Sequence, residues 1–396
     1  MHVFLRMARM AVMAIILSSV LLSGQPAQAA NRQVYAYYFG WYSSDSWGDG
    51  RLIDRPAAPY DSRDGAVIGR HIDEAKGAGI DAFIMSWFGP KNDNMTHQVF
   101  NSLLDQAAAR GFRAGVSVDL ADPGYNASAD EVIQSLNYLI GDRVNHGAYL
   151  RYDGKPVIYF WNQSRFSVAD WQHIRAQVDP NHNTIWVAEG TSTSFIPTFD
   201  GLYVFNTAWA GDPAATASQY LNATINAGGY WYTPTVLPGW NESNIAGRTN
   251  PTSPQDRGGN QFLTNSWNGA VSSGAGVILI VSWNEYLENS HIEPSQNFGT
   301  TALDTLRPLI SAWKGGSSYV PPAAVVSSPI NPGERALTPT YALNVRAGAG
   351  TDQPLLGMIN PGDRFAVKGE AAGWYQIEYN GTAGWVSADY VTVSNP

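Results

Sequence analysis

The feature that most constrains the fold is a regular alternation of apolar runs with amphipathic segments between residues 34 and 283. Eight runs are rich in β-branched, aromatic and aliphatic side chains, which is typical of buried strands. They are VYAYYF (34–39), DAFIMSWF (81–88), RAGVSVDL (113–120), KPVIYFW (155–161), TIWVAEG (184–190), GLYVFNT (201–207), YWYTPTVL (230–237) and GVILIVSW (276–283). Helix-like stretches lie between most of them, and several end in a glycine directly after the last apolar position.

This alternation predicts an α/β fold, a (β/α)8 barrel over residues 30–315. Eight strands with intervening helices in about 280 residues match such a barrel in count and in length. A doubly wound open sheet is the alternative, but no glycine-rich phosphate loop follows the first run, so the usual functional signature of that fold is missing. In a barrel, we expect the active site at the carboxyl ends of the strands.

Composition excludes several other classes of protein. The chain of 396 residues is 44% hydrophobic, which suffices for a large core and excludes a disordered protein. Because it contains no cysteine, neither a disulfide nor a thiolate metal site can form. A net charge of -9 disfavours a nucleic acid or an anionic membrane as partner, since phosphate groups demand clustered Lys and Arg.

Residues 1–29 are interpreted as a cleaved secretory signal. Arg6 and Arg9 precede the apolar stretch AVMAIILSSVLLSG, and Ala27-Gln28-Ala29 has the small-residue pattern of a cleavage site. The apolar stretch is shorter than the roughly 20 residues that a membrane-spanning helix requires. We therefore expect an exported, soluble protein with no membrane partner.

Composition changes sharply after Trp313. Residues 316–337 are rich in Gly, Pro and Ser without periodicity, and they are predicted to form a linker. Residues 338–396 contain short alternating runs separated by Pro-Gly and Asn-Gly turns, which predicts a small all-β barrel. The predicted organisation is thus a signal, a (β/α)8 domain, a linker and a C-terminal β domain.

Three carboxylates follow the eighth apolar run, in the segment GVILIVSWNEYLENSHIEPS. Glu285 and Glu288 lie just past the end of the predicted strand, where a barrel places its chemistry. Two carboxyls in different environments suffice to hydrolyse an acetal, because one protonates the leaving oxygen and the other acts as base or nucleophile. Such a site needs no metal, and we expect no cofactor. The spacing of the two acids does not decide between retention and inversion.

The other strand ends supply aromatic, amide and acidic side chains to the same rim. The candidates for substrate binding are Tyr38, Trp41, Tyr42, Trp87, Asp119, Trp161, Glu189, Asn206, Trp240, Asn284 and His291. Further side chains at these strand ends are Asp122, Asn162, Trp209 and Glu242. A pocket with flat aromatic faces, hydrogen-bonding amides and a carboxyl pair is what a carbohydrate cleft requires.

Other site chemistries have less support. The seven histidines are scattered without ligand spacing, which argues against a zinc site. No G-x-S-x-G sequence is present, so a serine hydrolase lacks its nucleophile turn. A structural role remains the alternative for each of the three acids, which would then cap the following helix or pair with Arg248. This alternative has most weight for Glu293.

Several stretches of the chain resemble glycoside hydrolase family 99, the endo-α-mannosidases and their relatives. These stretches are VYAYYFGWY, YDSRDGAVIGRHIDEAKGAGIDAFIMSWFG, RYDGKPVIYFW, PTVLPGWNESNIAGR and SWNEYLENSHIEPS, and the similarity covers about residues 33–315. The last motif is also similar to that of the fungal family 71 α-1,3-glucanases. The resemblance implies a glycosidase that is endo-acting on an α-linked polysaccharide of the α-mannan or α-glucan type.

The resemblance also implies separate roles for the two acids. In family 99 the first acid of the motif acts on the sugar 2-hydroxyl and the second protonates the leaving oxygen, and these positions correspond to Glu285 and Glu288. The sequence departs from the family at Tyr286 and Leu287, where endo-mannosidases usually have a Trp and a polar residue. Fold and reaction type therefore transfer better than the choice of sugar.

The C-terminal β domain resembles the bacterial SH3-like module in the stretches LNVRAGAG, GWYQIEYNG and GWVSADYV. That resemblance implies contact with the cell wall, and a passive spacer is the alternative. We expect a secreted, extracellular and wall-associated monomer whose partner is a poly- or oligosaccharide. The competing hypothesis is a non-catalytic glycan-binding protein on a barrel scaffold, and the retention of both acids favours the enzyme.

Overall fold

The computed structural model describes residues 31–248, 251–315 and, except for 332, 340–342, 352, 360–362 and 380, residues 330–394. The predicted signal and most of the predicted linker lie outside these residues. Within them, no helix combines the length and the apolar character that crossing a lipid bilayer requires.

Strands from residues 31–315 form one large sheet. They are β1 (Gln33–Tyr38), β2 (Ala82–Trp87), β3 (Arg113–Asp119), β4 (Arg151–Tyr152), β5 (Lys155–Trp161), β6 (Ile185–Glu189), β7 (Gly201–Tyr203), β8 (Trp231–Thr233), β9 (Thr235–Val236) and β10 (Val277–Ile280). Along the path β8–β7–β6–β5–β3–β2–β1–β10–β9 every pairing is parallel, and β4 adds antiparallel to β5. Each apolar run identified in the sequence contributes to this sheet.

Pro234 divides the seventh barrel strand into β8 and β9. β8 pairs with β7, whereas β9 pairs with β10. The carbonyl oxygen of Pro234 accepts the N–H of Leu279 at 3.0 Å, although proline has no N–H to donate. The two halves together join β7 to β10 and close the sheet, which confirms the predicted (β/α)8 barrel.

Helices connect the strands and cover the outside of the barrel. They are α1 (Gly65–Gly77), α2 (Met95–Arg110), α3 (Ala129–Gly141), α4 (Val168–Val178), α5 (Pro213–Asn226), α6 (Gln261–Ser272) and α7 (Thr301–Lys314). At the starts of α1 to α5, a side-chain oxygen of the residue before the helix accepts a backbone N–H of the first turn; these capping residues are Asp64, Asn94, Ser128, Ser167 and Asp212. Gly111 ends α2 in the left-handed conformation, as a glycine after the last apolar position predicts.

Alternate residues of each barrel strand face opposite sides, and this produces two cores. On β1, Val34, Ala36 and Tyr38 belong to the core between the sheet and the helices, whereas Tyr35 and Tyr37 belong to the barrel interior. The position of a residue along its strand therefore decides whether its side chain can reach a cleft at the barrel mouth.

The C-terminal region is all antiparallel β-structure. Its strands are β11 (Ala336–Pro339), β12 (Leu343–Arg346), β13 (Leu355–Ile359), β14 (Phe365–Ala366), β15 (Gly369–Ala371), β16 (Trp374–Tyr379), β17 (Thr382–Ser387) and β18 (Val391–Ser394). They form sheets in the orders β14–β11–β18 and β13–β12–β17–β16–β15. Leu337, Val345, Ile359, Ile377 and Val386 are buried in their shared core, which confirms the predicted small all-β fold.

The C-terminal region contacts the barrel near the start of α6. The backbone N–H of Asn344 donates to Oε1 of Gln261 at 3.3 Å. The phenol of Tyr390 lies against Gly258, where an added Cβ atom would stand 3.1 Å from the phenol oxygen. The polypeptide that joins the two regions lies mostly outside the described residues.

A glycine in β7 provides a test of the barrel packing. A Cβ atom at Gly201 would overlap the backbone carbonyl oxygen of Trp231 on the adjacent strand. We expect Gly201→Ala to lower the free energy of unfolding by about 1 to 3 kcal/mol, because neither backbone can move aside without breaking the pairing. Chemical denaturation followed by circular dichroism measures this loss.

Gly141→Ala is the matched control for this substitution. Gly141 is the last residue of α3, and an added Cβ atom there would meet nothing within 4 Å. Its replacement should leave stability unchanged or raise it slightly, since alanine favours the helix. Equal losses in the two variants would contradict the close approach of β7 and β8.

Candidate active site

The three carboxylates after β10 lie in a turn that folds back on itself, which we call the acidic turn (residues 282–293). The N–H of Ser282 donates to the carbonyl of Ser290 at 2.8 Å, and the N–H of Ile292 donates to the carbonyl of Ser282 at 2.9 Å. Asn284 ties the turn to the end of β1, because its amide both donates to and accepts from the backbone of Phe39 at 2.8 Å. The acidic turn is therefore fixed to the first and last strands of the barrel.

Glu285 is buried inside this turn, with 4% of its surface exposed. Its Oε1 accepts the N–H of Leu287 at 3.0 Å and the phenol O–H of Tyr42 at 3.4 Å. Burial raises the pKa of Glu285 above its ordinary value, and the hydrogen bonds from Leu287 and Tyr42 partly oppose this change. The carboxyl is thus held in a fixed orientation by groups that favour its charged form.

Glu288 faces a cavity at the barrel mouth. Its Oε1 lies 2.5 Å from a guanidinium nitrogen of Arg248, whose Nε lies 3.0 Å from Oε2 of Glu242. Burial and then the nearby charge of Glu285 raise the pKa of Glu288, while Arg248 acts in the opposite direction. Glu288 thus has the pairing with Arg248 that the sequence left open as an alternative, and the Arg248 side chain is 42% exposed.

The cavity has a volume of about 220 Å³. It is lined by Trp161, Phe205, Asn206, Trp240, Glu242, Arg248, Thr252 and Glu288. Aromatic faces, an amide and acids thus surround one of the two carboxyls. The structure brings four of the predicted site residues together here, namely Trp161, Asn206, Trp240 and Glu288.

Four other predicted residues lie around the same barrel mouth. Trp41 is partly buried against Phe39, with ring centroids 4.5 Å apart, and Tyr42 contacts Glu285 as described above. Asp119 is buried and accepts hydrogen bonds from Ser86 at 2.7 Å and Ala121 at 2.9 Å, and burial raises its pKa. Burial also raises the pKa of Glu189 to about 7, against a hydrogen bond from the backbone of Phe205.

The structure corrects the prediction for two strand-end aromatics. Tyr38 and Trp87 have no exposed surface and pack in the core between the sheet and the helices. Tyr38 is also hydrogen bonded to Nδ1 of His71 at 3.2 Å. Both residues end a strand, but the alternation of side chains directs them outward, away from the cavity.

The prediction is also corrected for two residues of the acidic turn, which were expected to contact substrate but instead stabilise the turn. Asn284 is fully buried, and its amide is used by Phe39 and by the phenol oxygen of Tyr60 at 3.0 Å. His291 is fully buried, with Nε2 3.1 Å from Oδ2 of Asp54 and its ring stacked on Tyr286 at 4.1 Å. Burial lowers the pKa of His291 to about 4, so the neutral ring donates to Asp54.

Glu293 is buried and has a structural role. Its Oε1 is 2.8 Å from Nε2 of His71, and its Oε2 accepts the phenol O–H groups of Tyr60 and Tyr286, each at 3.0 Å. With 3% of its surface exposed, this carboxylate is reached from α1, from the loop after β1 and from the acidic turn. Glu293 thus has a structural role, but through His71, Tyr60 and Tyr286 and not through the helix cap or the pairing with Arg248 that the sequence offered.

Sequence reasoning did not identify Phe205 and Thr252 as lining residues. The alternation on β7 could have found Phe205, because Tyr203 faces inward and Phe205 lies two residues further on. Thr252 belongs to the loop between β9 and α6, and no periodic pattern marks its position. Its N–H donates to Oε1 of Glu242 at 2.7 Å, and its hydroxyl accepts from Asn206 at 2.9 Å.

A larger cavity, of about 470 Å³, opens at the opposite, amino-terminal end of the barrel. Its cationic side chains donate to backbone carbonyls: Arg32 to Trp313, Arg113 to Gly147, and Arg151 to Val144 and Gly154. These contacts join loops at the base of the barrel. The smaller cavity is therefore the candidate active site, because Glu288 of the acidic turn lines it at the carboxyl ends of the strands.

The paired acids predict a specific dependence of stability on pH. Their raised pKa values mean that the folded chain keeps protons that the unfolded chain, with ordinary carboxyl pKa values of about 4.3, has already released. The free energy of unfolding therefore falls as the pH rises from about 4.3, the ordinary carboxyl pKa, through the raised pKa values of the two acids in the folded chain. Glu288→Gln removes one titrating group and the repulsion on Glu285, so its melting temperature should rise relative to the parent as the pH increases.

Calorimetry of parent and variant across this pH range measures the effect. Asp130→Asn, at an exposed acid on α3, is the control, and its difference from the parent should stay nearly constant with pH. A difference between Glu288→Gln and parent that is independent of pH, or that shrinks as pH rises, would contradict the raised pKa values.

Comparison with known proteins gives two family matches. The model of glycosyl hydrolase family 99 matches residues 55–307, and that of the bacterial SH3 domain matches residues 342–392. The chain is 24% identical over 258 residues to a glycoprotein endo-alpha-1,2-mannosidase-like protein of Mus musculus, which covers 59% of this chain and 56% of that protein. The chain thus spans a little more than half the length of this curated relative.

Two further matches are to a solved structure and to a curated bacterial protein. The solved structure of an endo-alpha-mannosidase of family 99 from Bacteroides thetaiotaomicron is similar with a TM-score of 0.63 at 21% identity, over 72% of this chain and 98% of that one. A putative N-acetylmuramoyl-L-alanine amidase of Bacillus subtilis is 39% identical over 54 residues, which are 14% of this chain and 10% of that protein.

Proposed function

We infer the activity of this chain from one premise: the chain belongs to glycosyl hydrolase family 99. We propose that it is a glycosidase that hydrolyses internal bonds of an α-mannan type of polysaccharide. The observation that carries the proposal is the pair Glu285 and Glu288, buried side by side at the carboxyl end of β10, with one carboxyl facing a cavity lined by aromatic and polar side chains.

The environments of the two acids support different roles. Burial and the charge of Glu285 raise the pKa of Glu288, which favours the protonated acid that can give its proton to the oxygen of the leaving sugar once the pairing with Arg248 is broken. Glu285 receives hydrogen bonds from Leu287 and Tyr42, which favour its charged form, so it is the base. We assign to Glu285 the removal of the proton from the 2-hydroxyl of the sugar whose bond is cleaved.

Arg248 has a part in this proton transfer. In the absence of substrate its guanidinium pairs with Glu288 and favours the deprotonated carboxylate. Glu242 offers the guanidinium a second partner at 3.0 Å, and the side chain is exposed enough to shift toward it. A sugar entering the cavity would separate Arg248 from Glu288, and the acid would then take up its proton beside the leaving oxygen.

Relatives named as endo-alpha-1,2-mannosidases support α-linked mannose as the first sugar to test. An α-glucan is the second choice, and non-catalytic glycan binding is the alternative function. A screen of the purified protein against α-mannans, α-glucans and other polysaccharides, with new reducing ends as the signal, tests the activity and identifies the sugar. Binding without any new reducing ends would favour the non-catalytic alternative.

Glu288→Gln tests the assignment of the acid. The amide keeps the shape of the side chain but cannot donate a proton to the leaving oxygen, so we expect kcat to fall by about 100-fold or more. Oligosaccharide binding, measured by isothermal titration calorimetry, should remain within a few-fold of the parent. Asp130→Asn is again the control, and its kcat and binding should equal those of the parent.

A Glu288→Gln variant that retains activity within about tenfold of the parent would assign the acid role elsewhere. Glu189 and Asp119 are the next candidates, because burial raises the pKa of both carboxyls. The same substitution at each of them, Glu189→Gln and Asp119→Asn, would then identify the proton donor.

We propose that the protein is exported and that its SH3-like region holds it at the cell wall. The signal pattern in residues 1–29 and the match of residues 342–392 to the bacterial SH3 domain support this assignment. Described contacts between the two regions join Gln261 to Asn344 and Gly258 to Tyr390. From the Gly-, Pro- and Ser-rich composition of residues 316–337 we treat the barrel and the SH3-like region as separate domains joined by a linker.

Truncation after residue 316 tests whether the barrel alone carries the activity and the SH3-like region alone carries the wall binding. The barrel alone should cleave a small soluble oligosaccharide with nearly the kcat/KM of the full chain, because every proposed catalytic residue precedes the cut. Its retention on insoluble wall material, measured by co-sedimentation, should fall several-fold. Unchanged sedimentation would leave the SH3-like region as a spacer, and loss of small-substrate activity would mean that the contact at Gln261 is needed by the barrel.

A further inference from the structure

One aromatic side chain near the cavity is left without a role by the proposed function. Among the described residues 31–315, the tryptophans that are not buried are Trp41, Trp161 and Trp209. Each of them lies at or beyond the carboxyl end of a barrel strand, β1, β5 and β7 respectively. Trp209 is 53% exposed, and it is the most exposed of the three.

The ring of Trp209 is held in a fixed orientation although it is exposed. Its indole N–H donates to the carbonyl oxygen of Asn206 at 2.8 Å. The turn beneath it is closed by the N–H of Ala208, which donates to Oδ1 of Asn206 at 2.8 Å, and by the N–H of Ala210, which donates to the carbonyl of Thr207 at 3.0 Å. A rigid flat ring that is half open to solvent loses little conformational entropy when it binds a ligand.

A chain of polar contacts connects this turn to the acid. Asn206 donates to Thr252 at 2.9 Å, Thr252 donates to Glu242 at 2.7 Å, and Glu242 pairs with Arg248 at 3.0 Å. Arg248 in turn contacts Glu288. Asn206, Thr252, Glu242 and Arg248 all line the cavity, so the Trp209 turn continues the cavity wall outward.

The order of the strands sets Trp209 and Trp41 on opposite sides of the acids. Going around the barrel, β7 is followed by β8 and β9, then by β10 with the acidic turn, and then by β1. Trp41, after β1, stacks with Phe88 at 6.2 Å, and Phe88 stacks with Tyr125 at 5.5 Å. Aromatic surface is therefore present on both sides of the carboxyl pair.

We propose that Trp209 is an outer sugar-binding platform, on which a pyranose ring of the substrate stacks several units away from the cleaved bond. This inference rests on the proposed function. The ligand is a hexopyranose unit within a longer chain, because its apolar face covers the indole while its hydroxyls remain in water. A chain that contacts both Trp209 and the aromatics after β1 extends in both directions from the acids, which selects internal bonds for cleavage.

The test compares substrates of different length. Kinetic constants are measured on α-mannan oligosaccharides from a trisaccharide upward for the parent, Trp209→Ala and Trp209→Phe. We expect Trp209→Ala to lower kcat/KM for the long oligosaccharides about tenfold more than for the shortest one that is cleaved, mainly through KM. Trp209→Phe keeps a flat ring and should recover most of this loss.

Tyr230→Ala is the matched control. Tyr230 is 55% exposed, similar to Trp209, but it precedes β8 and therefore lies at the amino-terminal end of the barrel. Its replacement should leave the kinetic constants for all lengths as in the parent. The proposal is overturned if Trp209→Ala affects short and long substrates equally, or if Tyr230→Ala gives the same dependence on length.

A second measurement separates this proposal from the proposed function. Electrophoresis in gels that contain α-mannan or α-glucan reports binding without hydrolysis. If no oligosaccharide is cleaved by the parent, the proposed glycosidase activity fails, but retardation that Trp209→Ala loses and Tyr230→Ala keeps would still support the platform. If the parent cleaves long oligosaccharides and Trp209→Ala is both kinetically and electrophoretically unchanged, only the platform fails.

Discussion

The buried carboxylate of Glu293 is the interaction on which the site depends. A buried carboxyl group is costly unless hydrogen-bond partners surround it, and here the partners are His71, Tyr60 and Tyr286. They belong to α1, to the loop after β1 and to the acidic turn, so the carboxylate is satisfied only when all three segments are in place. Tyr286 lies between Glu285 and Glu288 in the chain, and its anchoring therefore restricts where both acids can lie.

Beside this well-satisfied carboxylate, the two candidate catalytic acids are only partly satisfied. Glu285 and Glu288 are buried next to each other, and the half-exposed Arg248 pairs with Glu288. The contrast follows from their tasks, because a proton donor must not be tied into a full set of hydrogen bonds.

Much of the fold could be predicted from the sequence because strands and helices have distinct periodicities. Each apolar run became a strand, and the glycine after α2 ended that helix as expected. The cavity was harder to predict, since nearness to a strand end does not say which way a side chain points. The predictions that Tyr38 and Trp87 contact substrate were wrong for this reason, and the alternation of side chains along β1 and β2 would have corrected both predictions.

The remaining parts of the site depend on loops whose paths carry no periodic signal. His291 and Asn284 were expected at the substrate, but the acidic turn folds back and buries both. Thr252 reaches the cavity only because the loop between β9 and α6 returns to it, held by paired hydrogen bonds between Trp240 and Gln255. Contacts between segments far apart in sequence decide such positions, and local secondary-structure propensity carries no information about these contacts.

The division of the seventh barrel strand at Pro234 leaves a boundary between β8 and β9, which we call the seam. β8 and β9 are short, and each pairs with a different neighbour, so fewer ladder hydrogen bonds hold this edge than hold β2 to β3. Amide protons along the seam should exchange with solvent sooner than those of β1 to β3. The loop with Glu242 and Arg248 begins just beyond the seam, whereas the acidic turn is anchored to β1. The side of the cleft next to the seam is therefore held by fewer strand-to-strand hydrogen bonds than the side that carries the acids, where Asn284 also ties the acidic turn to the end of β1.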